Sequence, residues 1–190
     1  AGFRITPEIK GKLAERGYNH VYIMEEGTED IIPQDIISDE VRSQAQFKLA
    51  SKAEKVRRIL KFKDIGRERI YDQIRGGSLK DVNITHDIRR LGDDIIDDIS
   101  SVGATTLNSL LFKSKNTYHF DHALNTTILS ILIGKKYGLK REDLLNLAVG
   151  TFLHDIGKVV TEKMKEHADP KTTEKLEKEH PIFGYLIMHN

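Results

Sequence analysis

The segment TFLHDIGKVV (151–160) sets a histidine beside an aspartate at the end of an apolar stretch, with Gly157 and Lys158 just behind. Burying an ionised side chain is costly unless it is paired or bound to metal. Neighbours on a helix point about 100° apart, but both can grip one ion lying off the helix end. His154 offers a neutral nitrogen and Asp155 an anionic oxygen that can bridge to a second ion. That pairing suits Mn, Fe or Zn at a catalytic centre. The dipeptide alone is a weak signal, because His86-Asp87 repeats it among acidic residues on an amphipathic stretch and reads as surface. Company sets His154-Asp155 apart. His122 lies on the preceding apolar stretch and His180 directly before Pro181, and helices packed in a bundle can bring them together. Lys158, one helical turn past Asp155, can face a phosphate oxygen. A single buried histidine is ordinarily a satisfied core residue, but five spaced residues acting together are not explained that way.

The elements that must position these residues read as helices. Thr6 and Pro7 open a first helix that Gly17 stops, with Ile9 and Leu13 on one face. VYIM (21–24) reads as a short strand, and IIPQDII as extended chain around Pro33. Ser38-Asp39-Glu40 opens a long helix running to about Arg75, striped by Val41, Ala45, Leu49, Ala53, Val56 and Leu60, with Ile70 and Ile74 after a polar break near Gly66. Gly76-Gly77 marks a turn. A second long helix, from about Asn83 to Lys113, carries Ile84, Ile88, Leu91, Ile95, Ile99 and Val102. Residues 46–75 hold ten Lys/Arg and four Asp/Glu, whereas 81–98 hold six Asp and two Arg. A basic helix beside an acidic one suggests an antiparallel hairpin with complementary flanks. Apolar helices are expected over 120–138 and 141–158, a polar loop or lid over 160–172, and a last helical segment over 172–188 interrupted at Pro181. The fold class is mainly α, a helical bundle preceded by a long helical hairpin and a small α/β N-terminal piece. The domains divide as 1–39, 40–116 and 117–190.

Composition narrows the chemistry. The 190 residues are 38% apolar and 31% charged, with 30 basic against 29 acidic side chains. So even a balance argues against bulk attraction to nucleic acid or membrane. There is no cysteine, which excludes disulfides and thiolate sites and leaves any metal to His, Asp and Glu. No apolar run approaches the ~18 residues needed to span a bilayer, and no signal peptide is evident, so a cytoplasmic protein is expected. The chain opens without Met and stops at Asn190 inside an apolar pattern, which reads as a piece of a longer protein.

From His122 through LNTTILSILIGKKYGL to LHDIGK and EHPIFGY, the chain resembles HD-GYP domains, the metal-dependent phosphodiesterases of bacterial cyclic di-GMP signalling. The family's first His with an Asn three residues on is matched by His122 and Asn125, its LLHDIGK by LHDIGK, and its His-Pro with a following Gly by His180, Pro181 and Gly184. Residues 4–45 resemble the module that often precedes such domains, in ITPEIKGKLAERG, VYI and ISDEVR. The family's HHE and GYP motifs do not occur in these 190 residues, and some members' acidic ligand one turn before the first His corresponds here to Tyr118. On that ground a three-metal site is not expected, and activity is expected to depend on a part that carries HHE and GYP.

The resemblance implies a partial HD-type helical bundle in which His122, His154, Asp155 and His180 ligate two divalent metals, Fe or Mn first and Zn, Ni or Mg next, with Asp155 bridging. It implies that Lys158 contacts substrate phosphate and that a bridging hydroxide attacks cyclic di-GMP in line, giving pGpG and then GMP. The alternatives are a degenerate module that senses cyclic dinucleotides or binds a signalling partner protein, and another HD-type hydrolase acting on (p)ppGpp or dNTPs. A homodimer through the helices of 40–113 is expected, because their stripe looks too long for one small partner. His119, three residues before His122, is expected at the surface or just behind the ligands, and His20, His167 and His189 as exposed or structural residues.

Overall fold

The computed structural model describes residues 4–15, 26–27, 36–62, 66–101, 118–166 and 168–189. Helices dominate them: α1 (Pro7–Glu15), α2 (Asp39–Ile59), α3 (Arg67–Arg75), α4 (Ile84–Ser101), α5 (Tyr118–Lys136), α6 (Arg141–Leu153), α7 (Lys158–Lys165) and α8 (Pro170–Met188), with a 3-10 turn at Lys80–Val82 ahead of α4. The mainly α reading holds, and no strand occurs among the described residues. The strand expected at 21–24, most of the extended stretch around Pro33, Val102 and the expected continuation of α4 to Lys113 lie outside them.

Local chemistry explains the helix starts. Thr6 Oγ1 accepts the Ile9 N–H at 3.3 Å, and Ser38 Oγ accepts that of Val41 at 3.3 Å, so both expected N-caps form. Ser38 also donates its own N–H and hydroxyl to Asp98 Oδ2 of α4, both at 2.8 Å. The start of α2 therefore sits on the end of α4. Farther along, Lys52 pairs with Asp87 near the start of α4, so the two helices run antiparallel as expected. Their charges match only in part. Asp93 and Asp97 of α4 go instead to Arg141 of α6, at 2.7 and 2.6 Å, and Arg89 reaches Glu142 of α6 at 2.5 Å.

The long helix expected from Ser38 to Arg75 is two helices. The chain leaves helical geometry at Leu60, where the Gln73 side-chain amide accepts the Lys61 N–H at 3.1 Å and donates to the Lys61 carbonyl at 3.5 Å. That bracket satisfies the backbone freed by the break and folds α3 back. The stripe from Val41 to Ile74 is then covered within the chain, by α4, α5 and α7 over α2 and by α8 over α3, so its length alone does not require a second copy. Between α3 and the 3-10 turn, Gly77 takes φ +82°, a value L side chains rarely adopt.

Three further expectations are corrected in the C-terminal part. The helix expected over 141–158 ends at Leu153, and a tight turn over 154–157 separates it from α7. Residues 158–165, expected largely as loop, are helical: Val159, Val160 and Thr161 are buried and Met164 packs against the core, while Lys158, Glu162, Lys163 and Lys165 are polar. The last helix starts at Pro170, capped by Asp169, whose side chain accepts the N–H groups of Lys171 and Thr172. It runs unbroken through Pro181.

One apolar core links these helices, from Ile37 and Ile70 through Leu91 and Ile95 to Leu124, Leu153 and Phe183. Phe183 of α8 is fully buried and stacks on Tyr71 of α3, with ring centroids 4.6 Å apart. Beside it Arg67 of α3 meets Glu179 of α8 at 2.5 Å. These contacts fix the helix that carries His180. Phe183→Ala should lower unfolding free energy by about 3–5 kcal/mol, the usual cost of deleting a buried aromatic ring, read from the urea midpoint of the purified chain.

Candidate metal centre

Three helices and one turn deliver the site. His122 projects from the first turns of α5, His154 caps α6, Asp155 follows in the turn, and His180 comes from the middle of α8. Thr151 of α6 donates its hydroxyl to the Leu147 carbonyl at 2.7 Å and lies 3.3 Å from the Thr127 hydroxyl of α5. This polar contact lies between α5 and α6, one turn or so below His122 and His154. Gly157 sets the approach of α8. A Cβ at 157 would stand 1.9 Å from the His180 carbonyl oxygen and 2.6 Å from the Gly184 nitrogen. Only a residue without a side chain lets the α8 backbone come that close.

The donor atoms converge. His122 Nε2 and His154 Nε2 are 3.1 Å apart. Asp155 Oδ2 lies 3.3 Å from His154 Nε2 and 3.7 Å from His122 Nε2. Two donors each ~2.1 Å from one ion and ~90–125° apart are separated by ~3.0–3.7 Å, so this group fits a shared metal. His180 Nε2 approaches the other oxygen, Asp155 Oδ1, at 3.2 Å. The carboxylate thus offers one oxygen to a pair of imidazoles and the second to another. Lys158 Nζ sits 2.5 Å from Asp155 Oδ2.

Tautomers follow from the backbone. His154 Nδ1 is 2.7 Å from the Thr151 carbonyl and His180 Nδ1 is 2.7 Å from the Glu177 carbonyl. A carbonyl only accepts, so each Nδ1 carries a proton and each ring turns its Nε2 to the cluster. A ligating histidine held by its other nitrogen is the usual arrangement of a metal site.

Electrostatics favour an ionised Asp155 and a neutral His122. Burial alone would raise the Asp155 carboxyl, but the Lys158 hydrogen bond and the His154, Lys158 and His180 charges outweigh it and hold the group below the ordinary carboxylate range. Burial first, then repulsion from His154, pushes the His122 imidazole below its ordinary range, towards the neutral form that can ligate.

All five residues singled out in the sequence, His122, His154, Asp155, Lys158 and His180, come together. His119 lies at the rim, 2.9 Å from Glu162 of α7. His86 is exposed beside Asp87, and His189 stacks on Tyr185. His20 and His167 lie outside the described residues. Sequence reasoning missed Glu162, since 160–172 read as loop. It also missed the carbonyls of Thr151 and Glu177, which no side-chain type announces, although their shared spacing of three residues before a histidine is visible once known.

Comparison with known proteins agrees with the resemblance. Residues 119–190 match the model of the HD domain family. Over 78 residues the chain is 35% identical to the cyclic di-GMP phosphodiesterase PdeB of Borreliella burgdorferi, a match covering 40% of this chain and 21% of that protein. The chain therefore spans about a fifth of that relative's length. No solved structure matches. Among the described residues no helix is long and apolar enough to cross a membrane.

Two neighbouring glycines separate close approach from mere smallness. A Cβ at Gly184 would meet nothing nearer than 3.6 Å. Gly157→Ala should therefore cost about 1–3 kcal/mol as an overpacked contact, with Gly184→Ala close to neutral, in paired thermal denaturations. Acid should act through Asp155. Its folded-state pKa is depressed, so its contribution is complete above the ordinary carboxylate range and disappears as pH falls through the folded value. Asp155→Asn should remove that component from the acid-unfolding curve of the metal-free chain.

Proposed function

We propose that this site is the metal centre of a phosphodiesterase that opens cyclic di-GMP to pGpG. The observation that carries the reading is the convergence of three imidazole Nε2 atoms on the two oxygens of one carboxylate. His122, His154 and Asp155 Oδ2 would hold one divalent ion, and His180 with Asp155 Oδ1 a second. Nitrogen and carboxylate donors with no thiolate suit Fe or Mn. When bound, such a pair supplies Lewis acidity, making water nucleophilic near neutral pH and offsetting phosphodiester charge.

The side chains divide the remaining work. Asp155 spaces the two ion positions and stays ionised beside Lys158. The Nδ1–H bonds of His154 and His180 keep both rings oriented, so donor geometry is set before substrate arrives. Lys158, at the start of α7 on the same side as the carboxylate, is placed to bind a non-bridging phosphate oxygen and to stabilise charge there as the bond breaks. The substrate class rests on the partial identity to a protein named for cyclic di-GMP hydrolysis.

The test uses the 190-residue chain loaded with Mn, or with Fe under anaerobic conditions, and chromatography of the products of cyclic di-GMP. Asp155→Ala should abolish both metal binding and turnover while leaving helix content intact. Lys158→Ala should keep its metal and lose roughly 10²-fold in rate, in line with removal of one transition-state donor. Full turnover by the Asp155 variant would overturn the assignment. Binding of the dinucleotide by the metal-loaded chain without hydrolysis would favour a sensor instead.

A further inference from the structure

Pro181 sits in the middle of α8 and is exposed. Proline is the most unfavourable residue in a helix interior, because it lacks the N–H that would bond the carbonyl four residues back and its ring crowds that carbonyl. An exposed proline gains little from packing in return. Its place in α8 therefore needs another reason.

The carbonyl left without a helical donor by Pro181 is that of Glu177. This is the carbonyl that takes the ring N–H of His180, at 2.7 Å. His154 is arranged the same way by a different route. Its Nδ1 lies 2.7 Å from the carbonyl of Thr151, which is in the last turn of α6, where carbonyls have no intrahelical donor. In both cases an imidazole docks on the carbonyl three residues before it, freed once by a helix end and once by a proline.

We infer that Pro181 is a positioning residue for the metal centre: by withholding an N–H from the Glu177 carbonyl, it leaves that acceptor to His180 Nδ1–H and so holds the ring with Nε2 aimed at Asp155 Oδ1. A helix end could not serve here, because α8 must continue past His180 to bury Phe183 and Ile187. The proline supplies the free carbonyl of a helix terminus without ending the helix. The inference rests on the metal-centre reading above, yet its central claim, the tautomer, belongs to the metal-free chain.

The experiment compares the wild-type chain with Pro181→Ala and with an amide-to-ester replacement at position 181, which lacks both the N–H and the ring. Long-range proton–nitrogen NMR of the metal-free proteins near pH 8, above the ordinary imidazole range, reads the His180 tautomer. Titration calorimetry with Mn reads affinity. Wild type and ester should hold the Nδ1–H tautomer. Pro181→Ala should lose Nδ1–H from part of the population, lose about 10–100-fold in Mn affinity, as for other residues that orient a metal-bound histidine, and melt at a higher temperature. A proline that acted only by bending the helix would give the same changes in the Ala variant, but the ester, which has no ring, would then lose affinity with it. An unchanged tautomer in Pro181→Ala, or an ester that behaves like Ala, overturns the inference. A wild-type chain that takes up no Mn overturns the metal-centre reading instead, and the tautomer comparison still decides this one.

Discussion

The backbone of α8 crosses the turn before α7 at a separation no side chain would permit. Gly157 faces the carbonyl of His180 and the amide of Gly184, and much of the site follows from that contact. It brings the third imidazole within reach of Asp155. It also presses the polar helix α7 onto the core through its few apolar residues. Proteins pack at near-crystalline density, so a crossing this tight leaves little freedom for sliding. The ligand geometry is thereby tied to a steric constraint rather than to the weak attractions of exposed charges.

Around that crossing the molecule separates two kinds of interaction. Apolar burial joins α4, α5, α6 and α8 into one core and supplies most of the stabilisation. Ion pairs sit at its edge and choose orientation. Arg141 lies between Asp93 and Asp97, and the two carboxylates raise its guanidinium pKa still further above an already high value. Such exposed pairs are worth little individually, but this one appears where α4 and α6 must stay in register so that His154 faces α5. The partner of the acidic helix is thus mostly a neighbour two helices on rather than the basic helix that precedes it.

The site was largely legible in the sequence because its chemistry resides in side-chain types. His122, His154, Asp155, Lys158 and His180 are unusual on apolar stretches, and their spacings matched a known pattern. Less of the scaffold could be read. The apolar stripe from Val41 to Ile74 has no strong stop, and the break after Ile59 depends on Gln73 bracketing Lys61 from twelve residues farther on. Residues 158–165 look like loop because only Val159, Val160 and Thr161 are buried, too few to set a helical period. Pro181 reads as an interruption by every local rule, and its continuation within α8 rests on tertiary contacts of Phe183 that no local window contains.

Both imidazoles that lean on the backbone do so through peptide carbonyls, not through carboxylate side chains. A carbonyl is present whatever residue occupies its position. Mutation at 151 or 177 can change what the side chain does, such as the contact between Glu177 and Lys165, without deleting the acceptor that orients the ring. The support of this centre is therefore written in chain geometry and shielded from ordinary substitution. Side chains at 151 and 177 are thus free to vary so long as Gly157 keeps the crossing close and Pro181 keeps its carbonyl open.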